Sequence, residues 1–270
     1  MPAQYLAPTT LPAAAPLAFI GAAAAGRFDG IGLRLNASPG LPFHPVAGDP
    51  ALIRAVKQKI ADHGLKVLDI LSFYLQPDTD VDAYRGPLEL GAELGARYAL
   101  TIGDDPEWPR LSDNFARLCD VAAPLGIAAS IEFVPRRRLA SLPDTLRLMR
   151  EAGRSNVTLC IDPLHVTRSG ATAADLRRLE PKLIPYAQLC DGLLEPGEPD
   201  PAGLGRSAPE RRCMPGEGVL PLREIFAALP LGIPVSVEVP FDDAAGLSPV
   251  DWARRAGERA RAFLRSIGRL

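Results

Sequence analysis

Short apolar runs recur along the chain and alternate with longer stretches in which apolar residues return every three or four positions. The short runs predict strands at residues 5–10, 30–35, 66–72, 98–102, 128–133, 158–161, 186–189 and 235–239. The longer stretches predict helices near residues 16–26, 49–63, 80–95, 108–123, 142–153, 172–179, 221–229 and 249–266. Ile53, Val56, Lys57 and Ile60 keep helical spacing up to a stop at Gly64, and Leu88, Ala92 and Leu94 do the same before Gly95. Each predicted helix follows a strand, which is the order of repeated βα units and a parallel sheet. A strand such as Val67-Leu68-Asp69-Ile70-Leu71 is mostly apolar rather than alternating, as expected when both faces are covered. An open doubly wound sheet would also alternate elements, but it usually carries a Gly-rich phosphate loop after its first strand, and none is present. Eight repeats in a chain of 270 residues therefore predict a single (β/α)8 TIM barrel domain over residues 1–270.

Composition narrows the function classes. With 47% hydrophobic and 23% charged residues the chain can bury a core. A net charge of -2 with scattered Lys and Arg gives no electrostatic footprint for nucleic acid or an anionic membrane. The Ala-rich stretch at residues 11–25 has no basic segment before it and is interrupted by Pro12 and Pro16, so it reads as a barrel helix rather than a signal peptide. No apolar run reaches the roughly 20 residues that span a bilayer. Four cysteines without a CxxC pair predict a reducing, cytoplasmic setting. The Pro- and Gly-rich stretch at residues 192–218 leaves the seventh strand on the face where barrel active sites sit, and is expected to cover substrate rather than to link domains.

Barrel enzymes collect their chemistry at strand C-termini, and four polar residues interrupt apolar runs there. Glu132 ends the fifth strand, Asp162 the sixth, Gln188 lies in the seventh and Glu238 is near the end of the eighth. Any one of them could be a satisfied core or turn residue; Asp162 precedes Pro163, and an amide such as Gln188 often serves its neighbours. Together they form a pattern across four successive strands. Three carboxylates converging without positive charge would repel, and one divalent ion at their centre removes the conflict. An all-oxygen set of Glu132, Asp162, Gln188 and Glu238 favours Mn2+ or Mg2+, with Co2+ or Zn2+ also admissible. His165, three residues past Asp162, is placed to move a proton at the mouth, while Arg34, Tyr74 and Asp104 follow the second, third and fourth strands. The run Arg136-Arg137-Arg138 reads either as an anion clamp or as a solvated loop.

These residues resemble a family. Ile131-Glu132-Phe133, Asp162-Pro163-Leu164-His165, Gln188-Leu189-Cys190-Asp191, Arg212 ahead of Pro215-Gly216-Glu217-Gly218, and Glu238 are similar in order and spacing to the xylose-isomerase-like barrels. That family includes sugar-phosphate isomerases, ketose 3-epimerases, inosose dehydratases and 3-dehydroshikimate dehydratases. The resemblance implies that Glu132, Asp162, Gln188 and Glu238 ligate the metal, that His165 and Arg212 contact substrate, and that the chain forms a homo-oligomer. It implies an isomerase or epimerase working through an enediolate, with Glu132, Glu238 and His165 catalytic, on a keto-sugar, polyol or cyclic keto acid. Two departures bear on this. Most members carry His where Gln188 stands, and a Gln there resembles some 3-dehydroshikimate dehydratases, a lyase alternative. Ketose epimerases carry a second Glu beyond the fifth strand, where this chain has the Arg run. The three histidines are too few for the three-metal endonucleases of this barrel. A ligand-binding barrel without turnover is the non-enzymatic alternative.

Overall fold

The computed structural model describes residues 2–193, 212–241 and 246–269. Its strands are β1 (Gln4–Leu6), β2 (Gly30–Arg34), β3 (Lys66–Leu75), β4 (Tyr98–Gly103), β5 (Ala128–Glu132), β6 (Val157–Ile161), β7 (Tyr186–Leu189), β8 (Asp191–Gly192), β9 (Arg212–Cys213) and β10 (Val235–Val237). All but β8 and β9 pair in parallel and close into one eight-stranded barrel in the order β1-β10-β7-β6-β5-β4-β3-β2. The fold is a (β/α)8 TIM barrel. The two short strands form an antiparallel ladder of their own, with Asp191 opposite Cys213 and Gly192 opposite Arg212.

Around the barrel run α1 (Pro16–Ala25), α2 (Pro50–Asp62), α3 (Arg85–Glu93), α4 (Trp108–Ala122), α5 (Leu142–Ala152), α6 (Pro163–Arg168), α7 (Ala173–Leu176), α8 (Leu222–Ala228) and α9 (Pro249–Ser266). Their starts follow local chemistry. Asp49, Ser141 and Ser248 cap α2, α5 and α9 with side-chain oxygens, each followed by a proline whose missing N–H is no loss in the first turn. Gly153 ends α5 in the left-handed region at φ 61°, which only glycine adopts without strain. Among the described residues no helix is long and apolar enough to cross a membrane.

The elements depart from the sequence pattern in a few places. The first strand stops at Leu6 and the chain turns into a 3-10 helix at Pro8–Thr10, because Pro8 cannot donate to the ladder. β3 continues to Leu75, and its register against β4 shifts between Ile70 and Phe73. Residues 80–95 divide into a 3-10 turn, Val81–Tyr84, and α3. α6 went unforeseen: six residues are too short to show a helical period.

Apolar side chains fill two spaces. The larger cluster lies between strands and helices, and a smaller one of Tyr5, Leu68, Leu71, Leu100, Cys160 and Tyr186 plugs the barrel interior. Strand side chains alternate faces, so a residue two positions beyond an interior one also points inward. Cys160 leads in this way to Asp162, and Tyr186 to Gln188. The apolar plug and the polar mouth are thus successive layers of one alternation.

Candidate metal centre and substrate mouth

Glu132, Asp162, Gln188 and Glu238 are all buried, at 5%, 1%, 3% and 8% exposure. Asp162 does two things at once. Its Oδ1 accepts the backbone N–H of Leu164 at 2.7 Å and of His165 at 3.2 Å, capping α6, while its Oδ2 accepts from Arg212 Nη1 at 2.5 Å. The cap fixes where α6 begins and so aims His165 at the mouth, with Nε2 3.9 Å from Glu132 Oε1. Ligand atoms of Glu132, Asp162 and His165 all lie within 4.8 Å of one another. His165 therefore stands on a helix within the cluster of Glu132 and Asp162, in a segment for which the sequence pattern predicts no helix. The Gln188 Oε1 is buried and accepts no hydrogen bond among the described residues. A buried amide oxygen left open beside carboxylates and an imidazole is the donor chemistry a divalent cation requires, so the residues present fit such an ion.

Arg212 threads this cluster. Besides Asp162, its Nη1 lies 2.9 Å from Cys190 Sγ, and its Nη2 lies 3.4 Å from His165 Nε2 and 3.9 Å from Glu238 Oε1. With the Arg212 and Asp162 side chains 2% and 0% exposed, the guanidinium is the internal counter-charge that lets these carboxylates stay buried. Burial, reinforced by Asp162, pushes the Cys190 thiol well up, which keeps it a neutral neighbour of the fork.

Asp191 braces the ladder that carries Arg212, since Gly192 pairs with Arg212 across β8 and β9. The Asp191 Oδ1 accepts the N–H groups of Gly192 at 2.9 Å and Leu220 at 3.0 Å, and Oδ2 accepts that of Gly216 at 3.1 Å. The expected substrate-covering loop at residues 192–218 falls largely outside the described residues, which omit 194–211.

The other mouth residues separate into two groups. Tyr74 lies under Arg137, whose guanidinium carbon is 5.5 Å from the ring centroid, and Arg137 Nη1 donates to Asp104 Oδ2 at 2.9 Å. Tyr74, Asp104 and Arg137 thereby tie the loops after β3, β4 and β5 into one rim; Arg136 and Arg138 are exposed. Arg34 ends β2 on the far side, where its Nη1 donates to the carbonyls of Pro12 at 3.2 Å and Pro42 at 3.1 Å. His44 lies near Ala13 and His63 caps the end of α2, so neither joins the cluster.

Asp69, Cys190 and Asp191 lie within runs quoted from the sequence but carry no role in that reading. Asp69 was visible as a lone charge in an apolar run. It is 2% exposed, and burial pushes its carboxyl up to about 7, with Tyr186 opposing and Glu238 adding to the rise. Gly32 makes room for it, since a Cβ there would lie 2.4 Å from Asp69 Oδ1.

Known structures place this architecture. A xylose isomerase-like TIM barrel/4-hydroxyphenylpyruvate dioxygenase fusion protein is similar over 98% of this chain, with a TM-score of 0.79 and 18% identity; the chain spans 43% of that protein's length. An IolI protein with a bound zinc atom is similar over 98% of this chain and 99% of its own, at TM-score 0.77 and 17% identity. The probable 3-DHS dehydratase AsbF from Bacillus anthracis, involved in petrobactin synthesis, is similar over 97% of this chain and 99% of its own, at TM-score 0.73 and 17% identity. No curated protein matches the sequence. The family model described as xylose isomerase-like TIM barrel matches residues 20–267, so a closed barrel with its polar residues gathered at the strand C-termini has its family: the chain belongs to the xylose isomerase-like TIM barrels.

Proposed function

We propose that this chain is a divalent-metal-dependent enzyme that removes a proton next to a carbonyl of a small polyhydroxylated substrate and returns it elsewhere, an isomerase or epimerase. The observation that carries the reading is the buried convergence of Glu132, Asp162 and His165 beside the open Gln188 amide oxygen. Glu132, Asp162, Gln188 and Glu238 would hold the ion. The neighbouring His165 nitrogen widens the suitable ions from Mn2+ and Mg2+ toward Zn2+ and Co2+. The zinc-bound IolI structure supports a metal in such a barrel. When bound, the ion polarises the substrate carbonyl and offsets charge on the enediolate.

The chain's own residues do the rest. Glu132 and Glu238 come from strands separated by β6 and β7 in the barrel, so they reach the mouth from different sides. One takes the proton from carbon and the other returns it, to the opposite face for epimerisation or to the adjacent carbon for isomerisation. Arg212 orients substrate oxygen and balances the carboxylates. The four cysteines are free, which agrees with a reducing cytoplasm.

A second reading has its own support. The Gln188 amide, the Arg137 rim in place of a second Glu, and the likeness to AsbF favour a dehydratase. There a glutamate breaks the C–H bond, and His165 protonates the β-hydroxyl as its C–O bond breaks and water leaves. The test is elemental analysis of the purified chain, then assay of the loaded enzyme. About one metal per chain, with solvent deuterium entering a keto-sugar, supports the isomerase. New ultraviolet absorbance from 3-dehydroshikimate supports the dehydratase. No metal, before or after addition, overturns both. A Glu132→Gln variant that binds ligand while every rate stays unchanged would establish a non-catalytic barrel instead.

A further inference from the structure

Across the mouth from the carboxylate cluster, the loops after β1 and β2 hold hydrogen-bond donors that meet no acceptor. Two carbonyls, Pro12 O and Pro42 O, pin Arg34 through Nη1. Its Nε and Nη2 are buried and make no hydrogen bond among the described residues. Those two groups form the side-on edge of the guanidinium, the fork whose spacing matches the two oxygens of a carboxylate. Asn36, two residues on, likewise keeps Nδ2 buried and unpartnered, and Thr9 keeps Oγ1 so in the neighbouring loop. A small cavity of about 40 Å³ lies beside Arg34, lined among others by Leu11, Pro12, Phe19 and His44. Arg34 ends β2, so the parallel barrel delivers it to the same end as the carboxylates, and the charge of Glu238 opposes the lowering of its pKa by burial.

Buried N–H groups of a cation are left open where something else fills them. The fork is planar, has two donors, and is the one cation among the described residues that line its cavity. That suits a singly charged planar anion better than a phosphate dianion, which gathers several cations.

We propose that Arg34, assisted by Asn36, is a carboxylate-binding subsite, and that the substrate is a hydroxylated keto acid rather than a neutral sugar. The reaction assigned to that substrate rests on the function proposed above; the binding does not. A keto acid would be seated with its carboxylate on Arg34 and its carbonyl end toward Glu132 and Asp162.

The experiment is titration calorimetry with shikimate, its methyl ester and inorganic phosphate, on metal-free and metal-loaded protein, for wild type, Arg34→Met, Arg34→Lys and Asn36→Ala. The acid is expected to bind wild type about tenfold or more tightly than the ester. Arg34→Met abolishes that preference without changing ester affinity or metal content, and Arg34→Lys keeps part of it. Equal binding of acid and ester by wild type, a preference that survives in Arg34→Met, or no saturable binding of the acid at millimolar concentration overturns the subsite. Phosphate binding tighter than the acid, lost in Arg34→Met, overturns the carboxylate assignment. If Arg34→Met does not fold, Arg34→Lys and Asn36→Ala carry the comparison. A chain that binds no metal yet prefers the acid sinks the metal reading and leaves the subsite standing. A chain that binds metal without the preference does the converse.

Discussion

The two halves of the barrel mouth solve the problem of buried charge differently. On the side of β6, β7 and β9, charges answer one another: Asp162 is met by two backbone N–H groups and by Arg212, which also reaches Cys190, His165 and Glu238. On the side of β1 and β2, Arg34 is fixed at one nitrogen while its fork, with Asn36 and Thr9, stays unmet. The first half carries its counter-charge within the chain and can persist without a guest. The second is held in shape by neutral carbonyls and takes its counter-charge from what binds. A site that took both a cation and an anion would gain from this division, because the two guests would not compete for one set of partners.

The comparison breaks most sharply at the carboxylates. Glu132→Ala and Glu238→Ala are expected to lower metal affinity and turnover by more than about 100-fold, since even residues supporting a ligand contribute about 10–100-fold. Metal per chain and steady-state rates check this, and a variant with full metal content would remove that glutamate from the ligand set.

Arg212→Met should destabilise the metal-free protein by about 3–5 kcal/mol, because it strands buried carboxylates. Added metal should recover part of the loss by replacing the missing positive charge. Thermal melts with and without metal test it; a deficit unchanged by metal would mean that Arg212 is packing rather than counter-charge.

Asp69 gives a pH signature. Its folded pKa of about 7 lies above the unfolded value, so it opposes folding increasingly as pH rises from about 4 to about 7 and fully above that. Asp69→Asn should remove this slope and stabilise the metal-free protein above neutrality, on the order of 4 kcal/mol. Denaturant titrations across that pH range decide it, and parallel profiles for the two proteins would refute the assignment.

The smallest effect is expected from Asp191→Ala, which frees three backbone donors and should cost about 1–3 kcal/mol. Turnover should fall while metal content holds, because Arg212 drifts but the ligands do not.

Much of this was legible in the residue order, for a physical reason. Strand side chains repeat every two positions, so a polar residue at the end of an apolar run announces both its depth and its direction; Glu132, Asp162, Gln188 and Glu238 all obey that rule. His165 was legible through its spacing from Asp162, but not its helix, since α6 is too short to show a period. Arg212 could be listed by resemblance, yet its role as counter-charge depends on a contact fifty residues away in sequence. The Arg34 fork was hidden for the same reason: the carbonyls that pin it come from two different loops. Asp69 stood in plain sight, but only packing reveals that Gly32 clears a space for it.

Asp191 has one further consequence. By fastening Gly192 on one side and Gly216 and Leu220 on the other, it joins both ends of the β8–β9 ladder in which Arg212 pairs with Gly192. Closing that ladder costs loop entropy, which one buried carboxylate offsets through three hydrogen bonds.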